Sequence, residues 1–183
     1  MGRSHALSGA AVWLGGCAGL VMEHAARPGW VTVLGGAVVC AGAALLPDID
    51  HPNSRITHAG GAVTEALCWV VRRGGHRGPT HYLSSGVLAG AVAGGLAALL
   101  SPVLWWIGLA VGAGWVAHIF GDGCTEGGVP LWGPWDRRQR WVLWELLRFK
   151  TGDRGCRVEL WFVRPMLMLV VAAEVCVLLG GAL

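Results

Sequence analysis

The chain has 183 residues, 54% of them hydrophobic and 14% charged, with a net charge of +3 and a mean hydropathy of +0.55. A soluble domain carries about 25% charged residues, so the composition excludes an ordinary water-soluble globule and points to lipid as the solvent. The length suits one domain over residues 1–183.

In chain order, five apolar segments are expected to span a membrane, where a helix needs roughly 17–25 apolar residues. They cover about Ala6 to Met22, Trp30 to Leu46, Tyr82 to Leu100, Val103 to Phe120 and Leu160 to Leu179. Pro28, Pro47 and Pro102 punctuate the gaps, as residues that start or stop helices do. The first segment contains His5 and lacks a cleavage site, so it reads as a helix and not as a cleavable signal peptide. Gly15 with Gly19, Gly86 with Gly90 and Gly94, and Gly108 with Gly112 repeat the small-xxx-small spacing that lets helix backbones approach in lipid. The six cysteines show no CxxC spacing; Cys17, Cys40 and Cys176 fall inside apolar segments and read as small hydrophobes.

Orientation follows from positive charge. With the N-terminus in the cytoplasm, the 47–81 and 121–159 connections lie inside and the C-terminus outside. Of the 14 Lys and Arg residues only Arg27 then falls outside. Val63, Leu67, Val70 and Val71 have near-helical spacing, which predicts a short interfacial helix within residues 58–73. Residues 129–159 are rich in Trp and Arg, as at headgroup depth. Within them 141–149 suits either an interfacial helix or a hairpin strand. The expected fold is therefore an all-α integral membrane bundle with interfacial helices or a hairpin on the cytoplasmic side.

The polar residues collect at the ends of these segments. His5 opens the first, "LPDIDHP" (45–52) closes the second, "HRGPTH" (76–81) precedes the third and "HIFGD" (118–122) closes the fourth. Threading five crossings brings all four to one face. His118 and Asp122 are spaced i, i+4 and share a helix face. Asp48, Asp50 and His51 supply two carboxylates and an imidazole, while His76 and His81 flank a Gly-Pro turn. Nitrogen and carboxylate donors without thiolate suit zinc first, with manganese or iron as alternatives. The expected metal ligands are His5, Asp48, Asp50, His76, His81, His118 and Asp122. So many donors suit two ions about 3.5–4 Å apart. Arg77, between two of the histidines, is expected to bind a phosphate or carboxylate oxygen. Asp50 or His51 would orient water or protonate a leaving group. His24 and His58 read as ordinary polar residues, and Glu174, inside the last segment, as an acid reaching the outer interface.

The motifs "SHALSG", "LLPDIDHPNSRI", "HRGPTH", "HIFGDGCTEGGVPLWGPW" and "FKTGDRGCRVE" appear in this order from about residue 4 to 165. Together they resemble the YdjM-like family of inner-membrane, metal-dependent hydrolases. The resemblance implies a membrane-bound bundle in which His5, Asp48, Asp50, His51, His76, His81, His118 and Asp122 form the polar signature. It also brings in Thr125, as a substrate-binding residue, and Glu159, as a catalytic one. The chain departs from the family at Tyr82, where Ser is common, and at Gly123-Cys124.

The expected function is hydrolysis of a phosphoester in a lipid or lipid-linked substrate, with one ion polarising the phosphoryl oxygen and Arg77 balancing developing charge. Membrane lipids are the expected partners, a homo-oligomer is open, and no nucleic-acid motif is present. The rival is a non-catalytic membrane protein with a structural metal site, or a metal transporter. A transporter places ionisable ligands near the midplane of its helices, whereas here they lie at one end.

Overall fold

The structure, a computed structural model, describes residues 2–150 and 157–181. The six residues 151–156, which include Cys156 and part of "FKTGDRGCRVE", lie outside the described residues. The apolar segments form α1 (Gly2–Met22), α2 (Trp30–Ala43), α5 (Leu83–Leu100), α6 (Trp106–Gly123) and α7 (Arg164–Gly180). Single tight turns extend α2 through Leu46–Asp50 and precede α6 at Pro102–Trp105, and a π-helical turn at Glu159–Val163 leads into α7. With these additions, five helices are long and apolar enough to cross a membrane. The composition produces this result directly: β-branched and aliphatic residues in lipid leave backbone groups no partner but their own helix.

Pro47 sets the shape of the second crossing. A proline ring clashes with the carbonyl four residues earlier, which is Ala43, the last residue of α2. Beyond it the chain tightens into the Leu46–Asp50 turn, whose Pro47, Ile49 and Asp50 are buried.

Two glycines set how closely three helices meet. A Cβ on Gly9 of α1 would lie 2.6 Å from the Cys40 carbonyl oxygen, and one on Gly114 of α6 would lie 2.2 Å from the same atom. Both would also crowd the Ala44 region, so α1, α2 and α6 touch through backbone there. A second seam joins α5 to α6, where Gly90 and Gly94 face Gly108 at backbone contact. The glycine pair on the first segment behaves otherwise: Gly15 faces the Glu174 side chain and Gly19 faces open space. Glu174 is thus turned toward α1, and its Oε2 is buried without a hydrogen-bond partner. Toward the other end, Leu14, Cys17, Ala18, Val33 and Leu178 form the apolar core of α1, α2 and α7.

The 47–81 connection carries two short helices where one was expected, α3 (Arg55–Ala59) and α4 (Ala62–Val71). Ser54 caps α3 by accepting from the Thr57 N–H, and Thr64 Oγ1 donates to Thr57 O at 2.7 Å, folding α4 back on α3. Val63, Leu67, Trp69 and Val70 of α4 are exposed, an apolar face suited to the membrane interface. Residues 141–149 form neither helix nor hairpin. They contain one tight turn at Glu145–Leu147, and the surrounding stretch is tied by isolated bridges, Thr125 to Phe149 and Val129 to Arg140. Each bridge lacks the adjacent pairing that would make a ladder, so no strand develops among the described residues.

Candidate metal centre

The backbone crossing of α1, α2 and α6 places the polar residues. His5 lies four residues before Gly9, Asp48 four after Ala44 and His118 four after Gly114. Four residues are about one helical turn, so the three side chains leave the crossing at one level. Among the described residues, nitrogen and oxygen atoms of His5, Asp48 and His118 approach within 4.8 Å of one another, as do those of His81, His118 and Asp122. All four expected segment ends therefore meet.

The hydrogen bonds determine which atoms remain to bind something. His118 Nδ1 lies 2.8 Å from Ala44 O, and a carbonyl only accepts, so Nδ1 carries the proton. In the neutral ring Nε2 then presents a lone pair. Thr80 Oγ1 donates to Asp50 Oδ2 at 2.9 Å, which leaves it to accept from His81 Nδ1, also at 2.9 Å. His81 Nε2 likewise presents a lone pair. These two nitrogens face each other at 3.3 Å, in side chains with no solvent exposure. Two lone pairs at that distance repel unless a cation lies against both. Histidine ligands are commonly oriented by a carbonyl or carboxylate on the opposite nitrogen; His118 has the Ala44 carbonyl there, and His81 has the Thr80 hydroxyl, itself bonded to the Asp50 carboxylate.

Asp122 completes the cluster. Its Oδ2 accepts from Arg77 Nε at 3.0 Å and lies 3.4 Å from His81 Nε2. Its Oδ1 is buried with no hydrogen-bond partner, 3.4 Å from His5 Nε2, which is buried and unpartnered too. A buried polar atom left unsatisfied costs about 1–3 kcal/mol. A cation at the cluster removes that cost for both atoms. The His5 ring also stacks on His118 at 3.9 Å between centroids. The donors are nitrogen and carboxylate oxygen only. Cys124 stands nearby as a neutral thiol, its pKa pushed up by burial and then by the Asp122 charge. The residues present are therefore of the kind that can hold a metal ion.

Asp50 has a different position from its neighbours. Its Oδ1 faces His76 Nδ1 at 3.0 Å, and its Oδ2 accepts from Arg77 N at 3.0 Å and from Thr80. It ties the 76–81 turn to the end of α2, and Trp115 Nε1 ties the same turn to α6 through Thr80 O at 2.7 Å. The hydrogen bond to Asp50 raises the His76 pKa above the ordinary histidine value, partly opposed by burial. His51 stacks edge-on against His76 at 5.0 Å and accepts from Asn53 N.

Arg77 adopts φ 57°, a left-handed conformation rare outside glycine. That conformation points its N–H at Asp50 while its guanidinium reaches the other way. Nη1 donates to Thr125 Oγ1 at 3.0 Å and Gly128 O at 2.9 Å, beside the Nε bond to Asp122. Thr125 is buried and also donates to Asp122 O, so it supports Arg77 and Asp122 together. Glu159 is buried on the neighbouring face, accepting from Ser4 Oγ and Arg164 Nη2, and so braces the residue next to His5.

A sequence profile of the YdjM inner membrane proteins matches residues 1–179. The chain belongs to this family. No curated protein and no solved structure matches it. The family match and the five apolar helices make the chain a multi-pass inner-membrane protein. Its buried His and Asp groups are able to hold a metal ion.

Beyond the residues expected from sequence, the centre uses Gly9, Gly114 and Ala44 O. Only Gly9 and Gly114 left a trace, as small residues one turn from His5 and His118. Ala44 O accepts through its backbone, for which residue type carries no signal.

A cavity of about 530 Å³ opens onto the cluster, lined by Asp48, His51, His76, Arg77 and Asp122 among others. Solvent or a small polar group can therefore reach the acidic side of the site.

Proposed function

We propose that this family member is a metal-dependent hydrolase acting at the cytoplasmic interface on a phosphoester of a lipid or lipid-linked substrate. The observation that carries the proposal is the open cavity whose wall includes Asp48 and Asp122, one carboxylate from each of the two groups of metal-binding side chains. A purely structural metal site has no need of such access. His81 and His118, with Asp122 Oδ2, would hold one ion; His5 and Asp48, with Asp122 Oδ1, would hold a second. His118 offers one free nitrogen and so serves one ion only, whereas Asp122 has an oxygen for each. Zinc suits these donors best, with manganese and iron as alternatives.

A divalent ion supplies Lewis-acid polarisation of a phosphoryl oxygen and activates water near neutral pH. The chain supplies the rest. His51 and His76 stand on the cavity wall, where either can pass a proton to or from a bound group, and Asp50 orients His76 for that task. Arg77 holds Asp122 in place and keeps one terminal nitrogen, Nη2, outside its bonds to Asp122, Thr125 and Gly128. Headgroup depth favours a lipid-borne phosphate, since the site can meet it without extraction.

Zinc-loaded protein in detergent should release inorganic phosphate from at least one member of a panel of membrane phospholipids and lipid-linked phosphates. No release by metal-loaded protein across the panel would favour the rival, a metal that staples helices. One observation favours that rival: Arg77 spends most of its donors on the protein itself. The cytoplasmic N-terminus rests on the charge bias; reporter fusions within 129–150 that read as external would overturn it.

A further inference from the structure

Two cations line the cavity, Arg77 and Arg55. Arg77 is largely committed, through Nε to Asp122 and Nη1 to Thr125 and Gly128. Arg55 is exposed, and among the described residues its guanidinium has no ion pair or hydrogen bond. It begins α3, where its Cδ lies beside Gly2 of α1, so it stands at the rim with Asn53 and Ser54. The same cavity is also lined by acidic and imidazole side chains: Asp48, His51, His76 and Asp122.

We propose that Arg55 is the residue that recognises the anionic group of the substrate, a phosphate monoester, at the mouth of this cavity. The inference rests on the hydrolase proposal above and names the group that site accepts. A guanidinium pairs with phosphate oxygens through two parallel N–H bonds, and Arg55 has its whole donor set available. An anion drawn only toward the wall would meet the carboxylates of Asp48 and Asp122; a cation at the rim offsets that repulsion and fixes which end of the substrate enters. The hairpin that carries Arg55 also carries the exposed apolar face of α4, with Arg73 stacked on Trp69 at 3.7 Å. The same unit thus offers a phosphate contact beside a lipid-facing surface.

The test uses full-length zinc-loaded protein in detergent, with inorganic phosphate and dihexanoyl phosphatidic acid as probes. Binding of each is measured by calorimetry to wild type, Arg55→Gln and Arg55→Lys, with zinc content and melting temperature followed in parallel. Arg55→Gln should weaken both probes about tenfold, the loss expected for one charge-assisted contact. Zinc content and melting temperature should stay unchanged, and Arg55→Lys should recover part of the affinity. Tighter binding of phosphatidic acid than of phosphate assigns a lipid source; equal affinities assign a free phosphate. Equal binding by wild type and Arg55→Gln, or no binding of either probe to zinc-loaded wild type, would overturn the role of Arg55. A wild type that takes up neither zinc, manganese nor iron overturns the hydrolase proposal itself, and the role of Arg55 with it.

Discussion

Among the described residues two close glycine seams each stand near a cavity. The Gly90, Gly94 and Gly108 seam of α5 and α6 borders the larger, about 1060 Å³, walled by glycine, alanine and tryptophan with Arg27 its one charged residue. The Gly9 and Gly114 seam lies one turn from the smaller, about 530 Å³, whose wall includes two carboxylates, two imidazoles and two guanidinium groups. The same packing device serves both. The difference lies in what stands four residues away: His5, Asp48 and His118 at the one, and further glycines with Ala98 and Leu104 at the other. Size therefore does not mark the candidate site; the donors placed by the backbone do.

Substitution of the seam glycines should separate the two regions most sharply. Gly114→Ala would set a Cβ 2.2 Å from Cys40 O, and Gly108→Ala one 2.6 Å from Gly90 O. Each should destabilise the bundle by about 1–3 kcal/mol, as overpacking does. Only Gly114→Ala should also lose zinc, because it displaces His118 and Asp122 from α2. Melting temperature and zinc content in detergent check both; equal zinc retention would show that the crossing does not set the site.

A smaller effect is expected at Arg77→Lys. Lysine keeps the charge but cannot bond Asp122, Thr125 and Gly128 O together as the planar guanidinium does. Outer-sphere partners of a metal site typically contribute about 10–100-fold in affinity. Zinc affinity measured against a competing chelator should fall within that range while the bundle remains inserted. An unchanged affinity would assign Arg77 to substrate alone.

Much of this was legible in the sequence, for identifiable reasons. The five crossings follow from hydropathy and proline, and the structure moves their ends by only a few residues. Topology puts the ends that carry His5, Asp48, His81, His118 and Asp122 on one face, and the close crossing at Gly9 and Gly114 then brings the side chains together. Side-chain allegiance was harder to read. Asp50 is the anchor of the 76–81 turn, and Arg77 is turned toward Thr125 and Gly128, because each bond joins residues far apart in sequence and leaves no periodic trace. The Gly15–Gly19 pair has the spacing of a helix contact but meets Glu174 and open space. Spacing alone does not say which neighbour a face will find. The 129–150 connection follows neither helix nor strand periodicity because isolated backbone bonds hold it.

Whether the buried cluster of His5, Asp48, His81, His118 and Asp122 holds metal is decided by metal analysis of detergent-purified protein. Wild type should carry one or two equivalents of a divalent transition metal, zinc foremost. The His118→Ala, Asp122→Ala double variant should lose at least one equivalent while remaining inserted in the membrane. Equal metal content in the two proteins would contradict the account.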